Sequence, residues 1–466
     1  MPRSYLDPPI PIVALATAPG VSALAVLRAS GAGCVELLSG CFSRGERLVS
    51  APGHSLVPGN LIDPVTTERI DEVLVAVFRA PSSPTGEDQI EVTCHGSPVI
   101  VRRILDVLQG AGFARALPGE FTFRAFANGK QDLVGAEAVD ELVSAPGEAA
   151  RAEAMGRLGG GLSKRLGKAR TTMLELLAEA EVRLDYAEED GSPSGLFPGD
   201  VLLEFRDELA ALAASWMVGK LHAEGVRVVI AGSANAGKSS LFNLLVREER
   251  AIVSPEPGTT RDWIESGFEI AGIPVRLVDT AGLREGTGDV EAAGMERSRA
   301  LAVAADVVIC LADATKGLGP GDEELLGRRP DALKAWNKVD LVEALPRPPG
   351  WIALSAIEGT GLPELLAALE GELHRLETGL RDRAGKDETE EFVVTSPRQK
   401  RLLDRAVDSL DGALALVGAR GADESVALDA AALELRDAAD AIGELTGEIA
   451  TPEVLEAIFS GFCLGK

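Results

Sequence analysis

The sequence predicts a multidomain protein: an α+β domain at the N-terminus, then a helical domain in two separated stretches, with an α/β domain inserted between them. Three observations carry this. Short apolar runs of strand length dominate from Pro11 to about Phe126. Beyond Gln131 the apolar residues recur at helical spacing, and that pattern returns from Ser396 to Leu445. Between the helical stretches, Val226 to Asn243 reads VRVVIAGSANAGKSSLFN: a buried strand, a glycine loop and an amphipathic helix, in that order.

The elements follow in chain order. Ile12 to Thr17 and Ala23 to Arg28 read as strands about a Pro19-Gly20 turn, and Val73 to Phe78 and Gln89 to Thr93 as further strands. Ser97 to Leu108 has helical spacing and ends at Gly110 and Gly112. Leu133, Ala136, Val139 and Val143, then Leu158 through Leu184, suit long amphipathic helices with a bend at Gly159 to Gly161. Asp190 to Gly199 reads as a loop, and Val201 to His222 as a resumed helix. The α/β part ends near Leu376, and the charged stretch to Glu390 reads as a linker. The expected domains are 1–127, 128–224, 225–379 and 380–466, the second and fourth forming one discontinuous helical domain. Neighbouring termini make such insertions tolerable; separate helical arms also fit.

The loop supplies the first chemistry. Gly232 to Ser239 fits G-x-x-x-x-G-K-[ST], the P-loop pattern. Its small residues let backbone N–H groups surround a phosphate chain at the positive end of the helix. Asn235, Ala236, Gly237, Lys238, Ser239 and Ser240 are the expected contacts, with Lys238 on the β/γ-phosphates and Ser239 on Mg²⁺. Further pieces follow at sensible positions. Gly258, Thr259 and Thr260 sit in a loop, where the Thr260 hydroxyl suits Mg²⁺ when a γ-phosphate is present. The run Pro274 to Val278 is a strand leading into Asp279-Thr280-Ala281-Gly282, with Asp279 near Mg²⁺ and the Gly282 N–H on the γ-phosphate. After the strand Val307 to Ala312 comes Asn337-Lys338-Val339-Asp340. The Asp340 carboxylate accepts two hydrogen bonds from guanine, a contact worth on the order of 1–3 kcal/mol that adenine cannot make. Ser355 and Ala356 suit the guanine O6. Together these predict GTP over ATP.

Hydrolysis is less ordinary. Ras-like enzymes orient water with a Gln just after the D-x-x-G glycine, and here that place holds Leu283. Arg261 and Arg284 lie near, but neither is assigned as an arginine finger. Asn235 either helps hold a monovalent cation beside the β/γ-phosphates or is a small polar loop residue.

Composition bounds the partners. The hydrophobic share is 46% but the aromatic share only 4%, so the cores must be built from Leu, Val and Ala. A net charge of −26 argues against a surface that grips nucleic acid everywhere, so RNA would need a local patch or a partner. Five scattered cysteines without a C-x-x-C pair argue against a disulfide framework or zinc site. No apolar run approaches the roughly 20 residues of a membrane span, so a cytoplasmic protein with no membrane contact is expected.

At this point the chain resembles, almost end to end, the MnmE (TrmE) family of tRNA wobble-uridine modification GTPases. The resemblance rests on Pro19-Gly20, Thr85-Gly86-Glu87-Asp88, His95-Gly96, Pro118-Gly119-Glu120-Phe121, the GTPase motifs, Asp279 to Glu285, and the tail Phe462-Cys463-Leu464-Gly465-Lys466. It implies a potassium-stimulated GTPase with Asn235, Ser254, Glu256 and Thr259 around K⁺ and Glu291 as the water-orienting acid. It also implies an N-terminal domain that resembles folate-binding domains, holds a homodimer and binds 5-formyltetrahydrofolate or a related tetrahydrofolate through Arg28, Glu91, Lys130 and Lys466. The implied partner is the FAD-dependent protein MnmG, in a heterotetramer that adds an aminomethyl or carboxymethylaminomethyl group at C5 of the tRNA wobble uridine. Cys463 is implied to be needed for modification; a thiolate there is a possible nucleophile, and a packed cysteine is the alternative. The Val21-Ser22-Ala23 run replaces the glycine and arginine common in the family. The alternative function is a ribosome-assembly GTPase acting as an rRNA-binding switch, although no GXXG-centred module follows the α/β domain.

Overall fold

The computed structural model describes residues 3–185, 198–248, 265–279, 301–342, 347–383, 392–417 and 424–465. The chain divides into two compact units: Met1–Val143, Arg157–Leu202 and Asp408–Lys466 form one, Ser144–Gly156 and Leu203–Val407 the other.

The first unit opens with β1 (Ile12–Leu15), β2 (Leu24–Ser30), α1 (Cys34–Ser39), α2 (Gly45–Val49), β3 (Ser55–Ile62), β4 (Arg69–Phe78), β5 (Gln89–His95), α3 (Pro98–Gly110), β6 (Ala114–Arg115) and α4 (Glu120–Ala127). Its strands form one sheet in the order β3-β4-β5-β2-β1-β6. Along β4 the side chains alternate, so Val73, Val75 and Val77 enter the core with Ile90, Val92, Leu27 and Ile104. The same alternation leaves Leu24, Leu56 and Leu74 on the solvent face of that sheet.

Helices follow: α5 (Leu133–Ser144), α6 (Glu148–Leu158), α7 (Gly161–Asp185), α8 (Gly199–Ala214) and α9 (Trp216–Glu224). The second sheet holds β7 (Val226–Ala231), β8 (Glu265–Ile270), β9 (Ile273–Asp279), β10 (Val307–Asp313), β11 (Leu333–Asn337) and β12 (Ile352–Leu354), ordered β12-β11-β10-β7-β9-β8. All its neighbours run parallel except β8 on β9. A parallel sheet is covered on both faces, and β10 accordingly has no exposed residue. Its helices are α10 (Lys238–Glu248), α11 (Pro320–Arg328) and α12 (Leu362–Arg383); α13 (Pro397–Val417), α14 (Glu424–Thr446) and α15 (Pro452–Ser460) close the chain. In the first unit, α7 and α14 pack through Leu177, Ala180 and Ala432, with Arg170 Nε reaching the Ala439 carbonyl at 3.2 Å.

Four expectations need correction. The first strand stops at Leu15, short of Thr17. The strand β3 is not predicted by the alternation of apolar residues, because Pro58 and Gly59 interrupt its pattern; it lies at a sheet edge, where proline is tolerated. Gly59 is needed there, since a Cβ would stand 2.4 Å from the Phe42 ring. The stretch Val201 to His222 is two helices, broken where buried Ser215 donates to the Leu212 carbonyl (2.6 Å) and accepts from the Val394 N–H (3.0 Å). Glu377 to Arg383 is the end of α12 rather than linker, stabilised by the Glu377–Arg381 pair one turn apart. The expected loop at Asp190 and the remaining linker lie mostly outside the described residues.

Candidate guanine-nucleotide site

The loop between β7 and α10 is shaped by close backbone approach. A Cβ on Gly232 would stand 2.1 Å from the Leu311 carbonyl oxygen, and one on Gly237 (φ +99°) 2.2 Å from Asn337 Nδ2. Asn235 takes the left-handed conformation, φ +61°, which asparagine tolerates better than most residues, and its side chain is exposed. Lys238 is buried, and its ammonium donates to the carbonyls of Gly232 (3.0 Å) and Ser233 (2.8 Å). Its charge thus lies against the loop itself. Ser239 and Ser240 are exposed in the first turn of α10, and Ala236 is buried.

Asn337 joins three motifs that are far apart in sequence. Its Nδ2 donates to the Ala236 carbonyl at 2.7 Å, and its Oδ1 accepts from the Ala356 N–H at 2.9 Å. Lys338 (φ +69°) pairs with Asp313 at 2.7 Å. Burial works against the Asp313 charge, but hydrogen bonds from Lys338 and Thr315 outweigh it and hold the carboxyl below its ordinary range. Asp340 is exposed. Ser355 is fully buried, and its Oγ accepts from the Glu358 N–H at 3.2 Å.

Sequence reasoning missed Asp313 and Asp322. The buried Asp322 carboxylate accepts from Ser233 N–H (2.9 Å), Ser233 Oγ (2.7 Å) and Gly319 N–H (3.0 Å), bracing the phosphate loop from α11. The Gly319-Pro320 step just before an acidic first turn was its one local signal.

Several expected site residues lie outside the described residues: Ser254, Glu256, Gly258, Thr259, Thr260, Arg261, Thr280, Ala281, Gly282, Leu283, Arg284, Glu291 and Lys466, together with the Asp279 side chain. Asp279 ends β9, beside Ile230 of β7, so the backbone places it at the same C-terminal end of the strands as the loop. Among the described residues no group of three metal-ligating side chains gathers. The exposed Ser239 hydroxyl at the helix start fits a Mg²⁺ ligand, and the Asn235 oxygen fits a weakly bound cation.

In the N-terminal unit, Arg28 Nε donates to Glu91 Oε1 at 2.9 Å across paired strands. Arg28 Nη1 donates to the Gly465 carbonyl at 3.3 Å, and its guanidinium lies 5.8 Å from the Phe121 ring centre. So Arg28, Glu91 and the chain's tail meet. Lys130 is engaged elsewhere, its Nζ donating to the Pro81 carbonyl at 2.9 Å. Cys463 is exposed just beyond α15, with its carbonyl accepting from the Gly119 N–H at 3.3 Å. The other four cysteines are buried, and burial pushes the thiols of Cys34 and Cys310 up to about 12 and that of Cys94 up to about 11. Of the five cysteines, only Cys463 is exposed. The motif residues Thr85, Glu87 and Glu120 serve the framework: Arg124, itself buried, donates to Glu87 and Glu120 at 2.9 Å each, and Ser30 bonds Thr85 at 2.7 Å.

A mostly parallel sheet with this loop, this asparagine brace and this exposed Asp340 defines a P-loop GTPase. Two family models match the chain: the GTP-binding protein TrmE N-terminus over residues 11–130 and the MnmE helical domain over 133–463. The chain is 40% identical to the tRNA modification GTPase MnmE of Thermus thermophilus, over 98% of this chain and 99% of that one. It is 40% identical to the protein of that name from Aquifex aeolicus, over 98% and 99%, and 37% to that from Treponema denticola, over 98% of each. The chain belongs to the MnmE family.

Proposed function

We propose that this GTPase acts in tRNA modification, coupling GTP hydrolysis to the addition of an aminomethyl or carboxymethylaminomethyl group at C5 of the wobble uridine. The observation that carries the reading is the Asn337 brace, which fastens the phosphate loop to the guanine motifs in a chain that matches MnmE proteins end to end. K⁺ bound by Asn235, Ser254, Glu256 and Thr259 supplies positive charge where a finger would sit, and Glu291 orients water. Mg²⁺ is held by Ser239 and Thr260. A tetrahydrofolate cofactor is held by Arg28, Glu91, Lys130 and Lys466, and Cys463 takes part in the modification. Support for the second centre is the meeting of Arg28, Glu91 and the tail. The protein works as a homodimer with an FAD-dependent MnmG-type partner. The solvent-facing Leu24 and Leu56, 58% and 60% exposed on one sheet face, support self-association through the N-terminal unit. Family membership weighs against the ribosome-assembly alternative.

Mass spectrometry of tRNA wobble uridines from cells lacking this chain is expected to show loss of the C5 group; unchanged modification would refute the reading. GTP hydrolysis is expected to run faster in K⁺ than in Na⁺, and Asn235→Ala to remove the difference. Equal wild-type rates in both salts would remove the cation from the proposal.

A further inference from the structure

The phosphate loop lies at the C-terminal end of β7. At the opposite end of that strand is a cleft of about 660 Å³, walled by α9, the N-terminal ends of β7 and β10, β9 and the last turns of α12. Arg227 on β7 lies directly beside Arg276 on β9 in the parallel register, on the face that carries Val229 and Val278. Neighbouring strands are about 4.8 Å apart, and like charges placed opposite each other repel. The next strand offers no relief, because Arg276 pairs there with Gly267. On the other side, Asp306 Oδ2 accepts from the Arg227 backbone N–H at 2.8 Å. Among the described residues neither guanidinium has an ion-pair partner, and Arg276 Nε is buried without a hydrogen-bond acceptor.

Further cations line the same cleft. Lys220 stands 4.0 Å from Glu224, Arg375 is already paired with Glu372, and Arg383 is exposed at the end of α12. The lining of the cleft thus holds five cations and two carboxylates, Glu224 and Asp306, with Glu372 beside it on Arg375, in a chain of net charge −26. A buried charged donor without an acceptor is costly unless something supplies one. Paired guanidinium forks match the oxygens of phosphate, and the cleft has the size of a ligand pocket.

We infer that this cleft is a second anion site that takes a phosphate-bearing ligand, with Arg227 and Arg276 as its floor and Lys220 and Arg383 at its mouth. It lies about 16 Å along β7 from the phosphate loop at 3.3 Å per residue, so it is separate from the guanine site. An occupant would touch both the helix that leads into the sheet, α9, and the helix that leads out, α12. The phosphate comes either from an RNA backbone or from a free polyphosphate.

The test uses the full chain saturated with GDP, so that the phosphate loop is filled, and pyrophosphate as the probe. Calorimetry is expected to show one further pyrophosphate bound. The double variant R227Q/R276Q is expected to bind it at least about tenfold more weakly, as loss of charged hydrogen bonds implies, with GDP affinity unchanged. Arg276→Lys alone, which keeps the charge and loses the fork, is expected to fall between the two and guards against misfolding of the double variant. No binding to the GDP-loaded wild type, or equal binding to wild type and variants, overturns the inference. Displacement of the probe by tRNA assigns an RNA backbone as the source; retention in excess tRNA assigns a free polyphosphate, and both outcomes uphold the site. Failure to bind GDP would count against the GTPase reading and not against the cleft.

Discussion

Gly237 shows how much of the site depends on one missing atom. Its φ of +99° and the 2.2 Å that a Cβ would leave to Asn337 Nδ2 exclude any side chain. Gly237→Ala must displace the amide that joins the loop to Ala356 and adopt strained backbone as well, a cost of about 1–3 kcal/mol for the strain alone. GTP affinity, measured by nucleotide titration, is therefore expected to fall by roughly 10- to 100-fold, with the circular dichroism spectrum kept. This glycine was legible because the phosphate loop is a local pattern, read within eight consecutive positions. Asp322 was not, since it reaches Ser233 across a separation of 89 residues. Arg28 and Glu91 carried no local signal either, and only strand pairing brings them together.

At the scale of elements, buried His222 connects three helices. Its Nδ1 bonds Glu153 on α6 at 2.6 Å, and its Nε2 bonds Glu377 on α12 at 3.2 Å, with Arg381 also on Glu377. Burial disfavours the imidazolium, but hydrogen bonds and charge from the two glutamates outweigh it and push its pKa up to about 9. The hydrogen bond from His222, opposed by burial, leads the effects that hold Glu377 well below its ordinary value. A raised histidine stabilises the fold fully below its ordinary 6.5, and that stability is lost as pH rises toward about 9. A lowered carboxyl contributes above its ordinary 4.5 and loses that contribution in more acid solution. Denaturant melts should therefore show the cluster's full effect between these two values. His222→Ala is expected to cost about 3–5 kcal/mol by stranding buried carboxylates, and to flatten the decline above neutrality. The helix end carrying Glu377 was mistaken for linker because its charges looked solvated. Tertiary pairing, invisible in the local pattern, half-buries Glu377 and Arg381 against His222.

For the whole molecule, the tail of the chain is fixed by aromatic packing. Phe459 is fully buried, 5.4 Å from the Phe123 ring and 5.3 Å from Phe462, with Tyr5 and Phe126 around it. Gly119 has to be glycine there, since a Cβ would meet the Phe459 carbonyl at 2.8 Å. Phe459→Ala is expected to lower stability by about 3–5 kcal/mol in chemical denaturation. On the role proposed for Cys463, uridine modification in cells should fall with it while GTP affinity of the purified chain stays unchanged. The alternation of strands with helices made the α/β sheet legible. That the two helical stretches form one domain was legible from their flanking positions; that α7 pairs with α14 was not, because nothing in either helix names its partner. That pairing also sets a schedule for synthesis. Arg170 of α7 is also bound to Glu448, just past the end of α14 and 278 residues further along. At about 5–20 residues per second, the ribosome takes on the order of 15–60 s to cover that interval. Until Glu424–Thr446 is made, α7 lacks the helix it packs against, and binding of a chaperone to that stretch of nascent chain is expected.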